Sequence, residues 1–216
     1  MGIMLPANSR QQLPPRPHLT TTMTRPLLLN PLVWMRRFRH RRGYGVHSPF
    51  AFNFITGVVY ERTPYYAYAT LARQHPWWML WLRLRPVACC RLLFRLANYA
   101  EARTAWLVGV GDTEYNYVRA AVTRARVERC SRCADVRAAD FVLVAAHAAA
   151  EAPAVVPLMP THAMLVVEGI HDDATRLEAW RRIEADAHTG VTFDLWDYGI
   201  AFFDHRLTKQ RYVVNF

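Results

Sequence analysis

The second half of the chain alternates short, largely apolar runs with segments of helical character. The apolar runs cover residues 105–109, 126–130, 140–146 and 163–168. Such runs are typical of parallel strands that are buried on both faces. The helical segments cover residues 114–124, an alanine-rich stretch around 147–156 and residues 173–187. This order predicts an α/β fold with a mostly parallel sheet and helices on both faces.

The last part of the chain has a different periodicity. Residues 191–198 and 199–204 alternate apolar with other side chains, and residues 211–216 form a further strand candidate. Alternation with a period of two indicates strands, and two adjacent runs of this kind predict an antiparallel hairpin. The helix before them is expected to begin at Asp172 or Asp173, either of which is a good N-cap.

Residues 105–113 indicate a strand, a glycine turn and the start of a helix. Gly109 and Gly111 permit the backbone conformations and the close approach that a ligand-binding turn requires. A helix that starts after such a turn presents N–H groups and the positive end of its dipole to a ligand. Because ligands of parallel sheets bind at the carboxyl ends of strands, Gly109, Gly111 and Asp112 are the candidate cofactor-binding residues.

Composition and charge divide the chain into three parts. Residues 1–26 contain five prolines and no apolar periodicity, and they predict a disordered tail. Residues 27–103 predict a basic, aromatic-rich helical segment, and residues 104–216 predict the sheet domain. Residues 1–103 hold 15 arginines and two acids, whereas the remainder holds 12 cations and 15 acids. The net charge of +10 is therefore concentrated in the first half.

A basic run in the second part is the candidate contact for an anionic partner. Its five arginines are interleaved with aromatic residues: Arg36, Arg37, Arg39, Arg41 and Arg42. Phosphate pairing and base stacking would suit nucleic acid, and the same composition is typical of an interfacial helix on an anionic membrane. A third interpretation is a solvated helix whose apolar residues dock on the domain, because short basic runs occur in many unrelated proteins.

Ser48 and Pro49 predict the start of another helix. Ser48 is a favourable N-cap, and Pro49 suits the first helical position because its missing N–H would be unpaired there. The helix is expected to cover residues 49–60 and to bury three residues along one face: Phe50, Phe54 and Val58. His47, directly before the cap, either lines a site or has a structural role.

The remaining sequence signals bear on location and on metals. The most apolar stretch, residues 77–100, is interrupted by four arginines and a proline, so no membrane span is expected. No secretory signal is present, and four cysteines in a chain of this length predict a reducing, cytoplasmic setting. Only Cys130 and Cys133 have a spacing typical of zinc ligands, and the adjacent Cys89 and Cys90 are poor co-ligands, so a zinc site is disfavoured.

Short motifs at both ends of the folded region resemble those of a bacterial family. The matching segments are residues 45–50, 94–99, 166–171, 179–180, 192–195, 199–203 and 209–210, together with Gly109 and Gly111. They resemble class I S-adenosylmethionine-dependent methyltransferase-like proteins over most of residues 40–216. The resemblance implies a Rossmann-like, methyltransferase-type sheet with an antiparallel strand near the C-terminus. It also implies S-adenosylmethionine as the cofactor and a small molecule as the methyl acceptor.

The middle of the chain departs from the family pattern. Leu107 and Val108 stand where the family has an acidic residue, and Thr113 replaces the third glycine. Cys130 and Ser131 stand where the family has a carboxylate that binds the ribose hydroxyls. In the family, a helix and a further strand that build the adenine pocket lie between the second apolar run and the next one. Here only residues 130–140 separate the two runs, and a parallel crossover alone needs about a dozen residues.

Glu168 and His171 are the candidate catalytic residues. By the resemblance, they correspond to a carboxylate and a histidine of the family, and such a group can act as a general base. The alternative is that Asp172 or Asp173 caps the next helix and Glu168 is simply exposed. Two functional hypotheses follow: an S-adenosylmethionine-dependent methyltransferase acting on a small molecule, or a catalytically inactive protein of this fold that binds an anionic or protein partner through its basic N-terminal half.

Overall fold

A computed structural model of the chain describes residues 46–82 and 84–216, together with Met35. The predicted tail, residues 1–26, lies outside the described residues. The basic run with Arg36, Arg37, Arg39, Arg41 and Arg42 also lies outside them, so its three interpretations stay predictions.

The helices with bounds inside the described residues are numbered here in chain order. They are α1 (Pro49–Phe54), α2 (Ala67–Leu71), α3 (Trp77–Trp81), α4 (Arg85–Ala100), α5 (Asp112–Ala121) and α6 (Ala174–Ala185). A π-helical turn, Ile55–Val59, continues α1, so the helix predicted over residues 49–60 is confirmed in two parts. The alanine-rich stretch forms a long 3-10 helix, Ala146–Leu158, because Pro153 and Pro157 disfavour a regular α-helix.

The strands of the described residues form a single sheet with seven members. They are β1 (Thr104–Val108), β2 (Arg126–Cys130), β3 (Phe141–Val144), β4 (Met164–Glu168), β5 (Thr192–Asp194), β6 (Tyr198–Phe202) and β7 (Arg211–Val213). The order is β2-β1-β3-β4-β6-β5-β7, and only β6 runs antiparallel to its neighbours β4 and β5. The predicted mostly parallel, Rossmann-like α/β sheet with an antiparallel C-terminal pair is therefore confirmed.

A hydrophobic core lies on each face of the sheet. Phe141 and Leu143 of β3 pack in the core with α1, α4 and α5, whereas Val142 and Val144 pack with the long 3-10 helix and α6. Because successive strand residues point to opposite faces, both cores require apolar side chains from the same strand. Residues of α1 and α4, which precede residue 104, belong to the same core as the strands.

Local signals at two helix starts act as predicted. Ser48 Oγ accepts a hydrogen bond from the N–H of Ala51 at 3.4 Å, with Pro49 in the first turn of α1. Asp173 is the N-cap of α6 and accepts from the N–H of Arg176 at 2.8 Å. His47, ahead of the first of these caps, is exposed.

The apolar stretch 77–100 forms two helices. Pro86 lies in the first turn of α4, where its missing N–H breaks no helical hydrogen bond. Leu92 and Leu96 are fully buried, whereas Tyr99 at the end of α4 is exposed. No helix among the described residues combines the length and apolar character needed to cross a membrane.

In the described chain, β2 is an edge strand. Between β2 and β3 the chain forms only a short 3-10 turn, Cys133–Asp135, and then re-enters the sheet on the other side of β1. The connection is too short for a further helix and strand, as the sequence predicted. The sheet therefore ends at β2 on this side within the described residues.

A buried arginine fixes the π-helical turn after α1. Arg95 of α4 is buried, and its guanidinium donates to the carbonyl oxygens of Val58 at 2.6 Å and Val59 at 2.9 Å. The last carbonyls of a helix have no partner within the helix. Arg95 supplies the missing donors, which explains a charged residue on the buried face of α4.

We expect Arg95→Met to lower the free energy of unfolding by about 2–4 kcal/mol, because two buried carbonyls lose a charged donor. Methionine keeps much of the side-chain volume, so the cavity contribution is small. Urea unfolding followed by circular dichroism measures the change. The exposed Arg124→Met is the control and should change stability by no more than about 0.5 kcal/mol. Equal unfolding midpoints for both variants would contradict the role of Arg95.

Candidate functional site

Strands β1 to β5 run in the same direction and end at one edge of the sheet. Their last residues are Val108, Cys130, Val144, Glu168 and Asp194. The loops that leave these strand ends carry the glycine turn and most of the predicted site residues. Ligands of open α/β sheets bind outside the carboxyl ends of the strands, so this edge is the candidate site.

Gly109 adopts the left-handed conformation that the glycine turn predicted, with a φ of 67°. A Cβ atom at this position would lie 2.4 Å from Nε2 of His147, so the imidazole covers the Cα of Gly109. His147 follows β3 and is exposed, which allows its ring to move without opening a core cavity. Gly111 is the N-cap of α5 in an extended conformation that any residue adopts.

Asp112 is bound by a residue that the sequence did not single out. Its Oδ1 lies 2.8 Å from Nη1 of Arg129, whose Nη2 donates to the carbonyl oxygen of Val110, also at 2.8 Å. The same guanidinium lies 4.9 Å from the ring centroid of Tyr115. An acid in the first turn of α5 suits the positive end of the helix dipole. The ion pair therefore links β2 to the glycine turn and to α5.

Glu168 is buried at the end of β4. It is 5% exposed, so the alternative that it is simply exposed is wrong. Its antiparallel partner in the ladder is Tyr198 of β6. Val166, two residues earlier, packs in the core with α4, and alternation places the Glu168 side chain on that same face.

His171 forms a pair with Asp194, a residue at the end of β5. His171 Nε2 lies 2.8 Å from Asp194 Oδ2, and both side chains are mostly buried. The imidazole stacks on the indole of Trp196, with ring centroids 4.3 Å apart and an interplanar angle of 3°. Asp194 Oδ1 also accepts from the N–H of Trp196 at 2.9 Å. Two contacts thus fix the orientation of the imidazole.

A buried ion pair holds the loops of this edge together. The Asp197 carboxylate pairs with Arg85 and accepts from Cys89 Sγ at 3.5 Å. The carbonyl oxygen of Asp197 accepts from the N–H of Gly169 at 2.7 Å, and Arg85 Nη1 donates to the carbonyl oxygen of Phe216 at 3.0 Å. The pair thereby connects α4, the β5–β6 turn, the loop after β4 and the last residue.

Cys130 stands at the end of β2, where the resembling family carries its ribose-binding carboxylate. Burial raises the pKa of Cys130 and raises the pKa of Cys133 to about 12. Both side chains are therefore neutral thiols near pH 7, and a thiol accepts hydrogen bonds from ribose hydroxyls poorly. Within residues 46–82 and 84–216, no three His, Cys, Asp or Glu side chains form a group that could hold a metal ion.

Three residues of this edge were missed by sequence reasoning, whereas His147 at the end of the β3 run was expected there. Asp194 and Trp196 lie in the predicted hairpin, and only the sheet order brings them to His171. A signal for Asp194 existed, since it falls within the motif at residues 192–195. Arg129 carries no local signal, because it reaches the glycine turn only through the neighbouring strand β2.

We expect Gly109→Ala to lower the free energy of unfolding by about 1–3 kcal/mol, through the left-handed backbone and the collision with His147. In a His147→Ala background the collision is gone, so the same substitution should cost at least about 0.5 kcal/mol less. Thermal unfolding of the parent, of Gly109→Ala, of His147→Ala and of the double variant measures both effects. Gly57→Ala, where a Cβ meets nothing within 4 Å, is the control. Strict additivity would show that His147 does not cover Gly109.

Comparison with known proteins places the chain in no family. No family model matches it, and no curated protein matches it. Among solved structures it is similar to the "Crystal structure of cofactor-bound Rv0187 from MTB", with 14% identity and a TM-score of 0.35 over 82% of this chain and 99% of the other. A match at this level supports no functional assignment.

Proposed function

We propose that this chain is an S-adenosylmethionine-dependent methyltransferase-like protein that acts on a small molecule. The observation that carries the proposal is the His171–Asp194 pair, held at the same sheet edge as the left-handed turn at Gly109. A turn that admits close backbone approach and an oriented histidine are the two parts that a cofactor site and a general base require.

The glycine turn fits the amino-acid end of the cofactor better than the β2 end fits the ribose. Gly109 and Gly111 would approach that end, with the start of α5 offering its N–H groups, once the exposed His147 ring turns away. At the other end, Cys130 offers a thiol in place of a carboxylate. We therefore expect weak cofactor binding. When bound, S-adenosylmethionine supplies a methyl group on an electrophilic sulfonium.

The work of the chain is to orient an acceptor and to remove its proton. An ionised Asp194 only accepts hydrogen bonds, so Nε2 of His171 carries the hydrogen in their pair and Nδ1 is the basic nitrogen. After proton uptake, the Asp194 carboxylate stabilises the imidazolium, as in other histidine–aspartate pairs. Stacking on Trp196 holds the ring plane while this occurs. An acceptor hydroxyl would thereby become a better nucleophile.

A second candidate function is a catalytically inactive protein of this fold that binds a partner. Two contacts favour this second function. Arg129 forms an ion pair with the Asp112 carboxylate, and the imidazole of His147 covers the Cα of Gly109. Both contacts fill the glycine turn with the chain's own side chains. In that case the basic N-terminal half would supply the contact to an anionic or protein partner.

Isothermal titration of the full chain with S-adenosylmethionine and with its demethylated product separates the two functions. If the chain is an enzyme, we expect it to bind these ligands within the millimolar range. We expect the His147→Ala variant to bind them more tightly, because the imidazole no longer competes with the ligand for the glycine turn. The matched control is the exposed His205→Ala, which should bind like the parent. No heat with either ligand in any of the three chains would refute the enzyme and leave the inactive protein.

A further inference from the structure

Large aromatic side chains are exposed side by side before α4. Trp77 and Trp81 of α3 are each 76% exposed, Trp78 is 38% exposed, and Leu82 directly after the helix is 52% exposed. We call these four residues the tryptophan patch. Single exposed apolar residues are normal on a protein, but a contiguous group of large ones marks an interaction site.

The opposite side of α3 holds the helix to the protein. Met79 is buried and forms an apolar cluster with Leu84 and Val87. The N–H of Leu84 also donates to the carbonyl oxygen of Met79 at 3.0 Å. The tryptophan patch is therefore the outer face of a helix that is docked through Met79.

The chain around the patch is strongly basic. Residues 62–100 contain six arginines and no aspartate or glutamate, and two of these arginines are engaged inside the protein: Arg85 with Asp197 and Arg95 with backbone carbonyls. Arg62 and Arg73 of this stretch are exposed. The run at residues 36–42 adds five arginines, again without an acid. Basic residues beside exposed tryptophans match the chemistry of a surface that is apolar inside and anionic outside.

We propose that the tryptophan patch binds the surface of an anionic lipid bilayer. Tryptophan prefers the membrane–water interface, because its ring enters the acyl region while its N–H stays among the headgroups. Leu82 extends the apolar insertion, and the exposed Arg62 and Arg73 can pair with anionic headgroups. The proposal concerns side chains that the candidate site does not use, and it does not depend on methyl transfer.

Two other occupants fit the patch less well. The basic run of this chain would bring five arginines to a stretch that already holds only positive charge, and like charges repel. Single-stranded nucleic acid matches the charge, but it stacks successive bases on separate rings along a groove. Leu82 offers no stacking face, whereas it adds directly to insertion in lipid.

Co-sedimentation of the full chain with lipid vesicles tests this proposal. We expect binding to mixed phosphatidylcholine–phosphatidylglycerol vesicles and binding at least about tenfold weaker to phosphatidylcholine alone. High salt should weaken the binding, since it screens the headgroup attraction. Tryptophan fluorescence should shift to shorter wavelength on binding, and lipids brominated near the headgroup should quench it.

The double variant Trp77→Ser with Trp81→Ser removes the two most exposed rings without opening a core cavity. We expect it to bind mixed vesicles at least about tenfold more weakly than the parent, with an unchanged circular dichroism spectrum. Leu158→Ser is the matched control, because Leu158 is an exposed apolar residue of the long 3-10 helix on the opposite face of the sheet. This control should bind like the parent.

Equal vesicle binding by the parent and the double variant would overturn the proposal, and so would failure of the parent to bind anionic vesicles. Binding to single-stranded RNA that requires Trp77 and Trp81, in the absence of vesicle binding, would assign the patch to nucleic acid instead. The circular dichroism spectrum separates each of these outcomes from loss of the fold.

Discussion

His171→Asn should lower the rate of methyl transfer to a hydroxyl acceptor by about 10²–10⁴-fold, because it removes the proposed base. Asparagine keeps a polar side chain of similar reach but cannot take up a proton near neutral pH. The measurement is transfer of a labelled methyl group from S-adenosylmethionine to a panel of small phenols, alcohols and carboxylic acids. An acceptor that is already an ionised carboxylate needs no base, so its methylation should be nearly unaffected. The difference between the losses on hydroxyl and on carboxylate acceptors distinguishes loss of a base from loss of cofactor binding.

Asp194→Asn should produce the same difference between acceptors with a loss of about 10–10³-fold, since it disturbs the tautomer and the orientation of His171. His162→Asn is the matched control. His162 Nε2 lies 2.7 Å from Asp140 Oδ1, a histidine–aspartate pair of almost the same geometry before β3, at the other edge of the sheet. This control should keep the activity of the parent. Equal losses in all three variants, or equal losses on hydroxyl and carboxylate acceptors, would exclude His171 as the base.

The sheet was predictable because its signals are local. The runs that became β1, β3 and β4 are read from consecutive apolar residues, and each requires only that both faces of a strand be buried. The expectation that β2 is buried on both faces is wrong, because β2 is an edge strand whose residues are exposed or half-buried. The antiparallel direction of β6 was predicted in two ways, from the alternation of residues 191–204, which indicates a hairpin, and from the resemblance. Bounds shifted by a few residues, as for α5, which begins at Asp112 rather than at residue 114, because the helix dipole favours the acid in the first turn.

The candidate site was predictable only in part, because its contacts join distant segments. Glu168 and His171 follow the same strand and could be named together from the sequence. That His171 contacts Asp194 depends on β5 lying beyond β6, an order that no local pattern specifies. The contact of His147 with Gly109 likewise depends on β3 lying directly beside β1. Sequence patterns therefore locate the strand ends but not the pairs formed between them.

The buried pair of Asp197 and Arg85 should have the largest effect on stability. We expect Asp197→Ala to lower the free energy of unfolding by about 3–5 kcal/mol, because it leaves the guanidinium of Arg85 buried without its carboxylate. Arginine cannot release its proton to relieve this cost. Urea unfolding measures the change. Glu128→Ala breaks the exposed pair with Arg126 and, as the control, should cost less than about 1 kcal/mol.

Replacing both partners separates the cost of an unpaired charge from the cost of lost packing. The double variant Arg85→Met with Asp197→Leu keeps apolar volume at both positions, and we expect it to be about 1–4 kcal/mol more stable than Asp197→Ala alone. A double variant as unstable as the single one would assign the loss to packing and to the contacts with Cys89 and Phe216. A single variant as stable as the parent would show that the pair does not hold the loops. Since the N–H of Gly169 binds the carbonyl oxygen of Asp197, loosening this turn should also lower methyl transfer through the loop that carries His171.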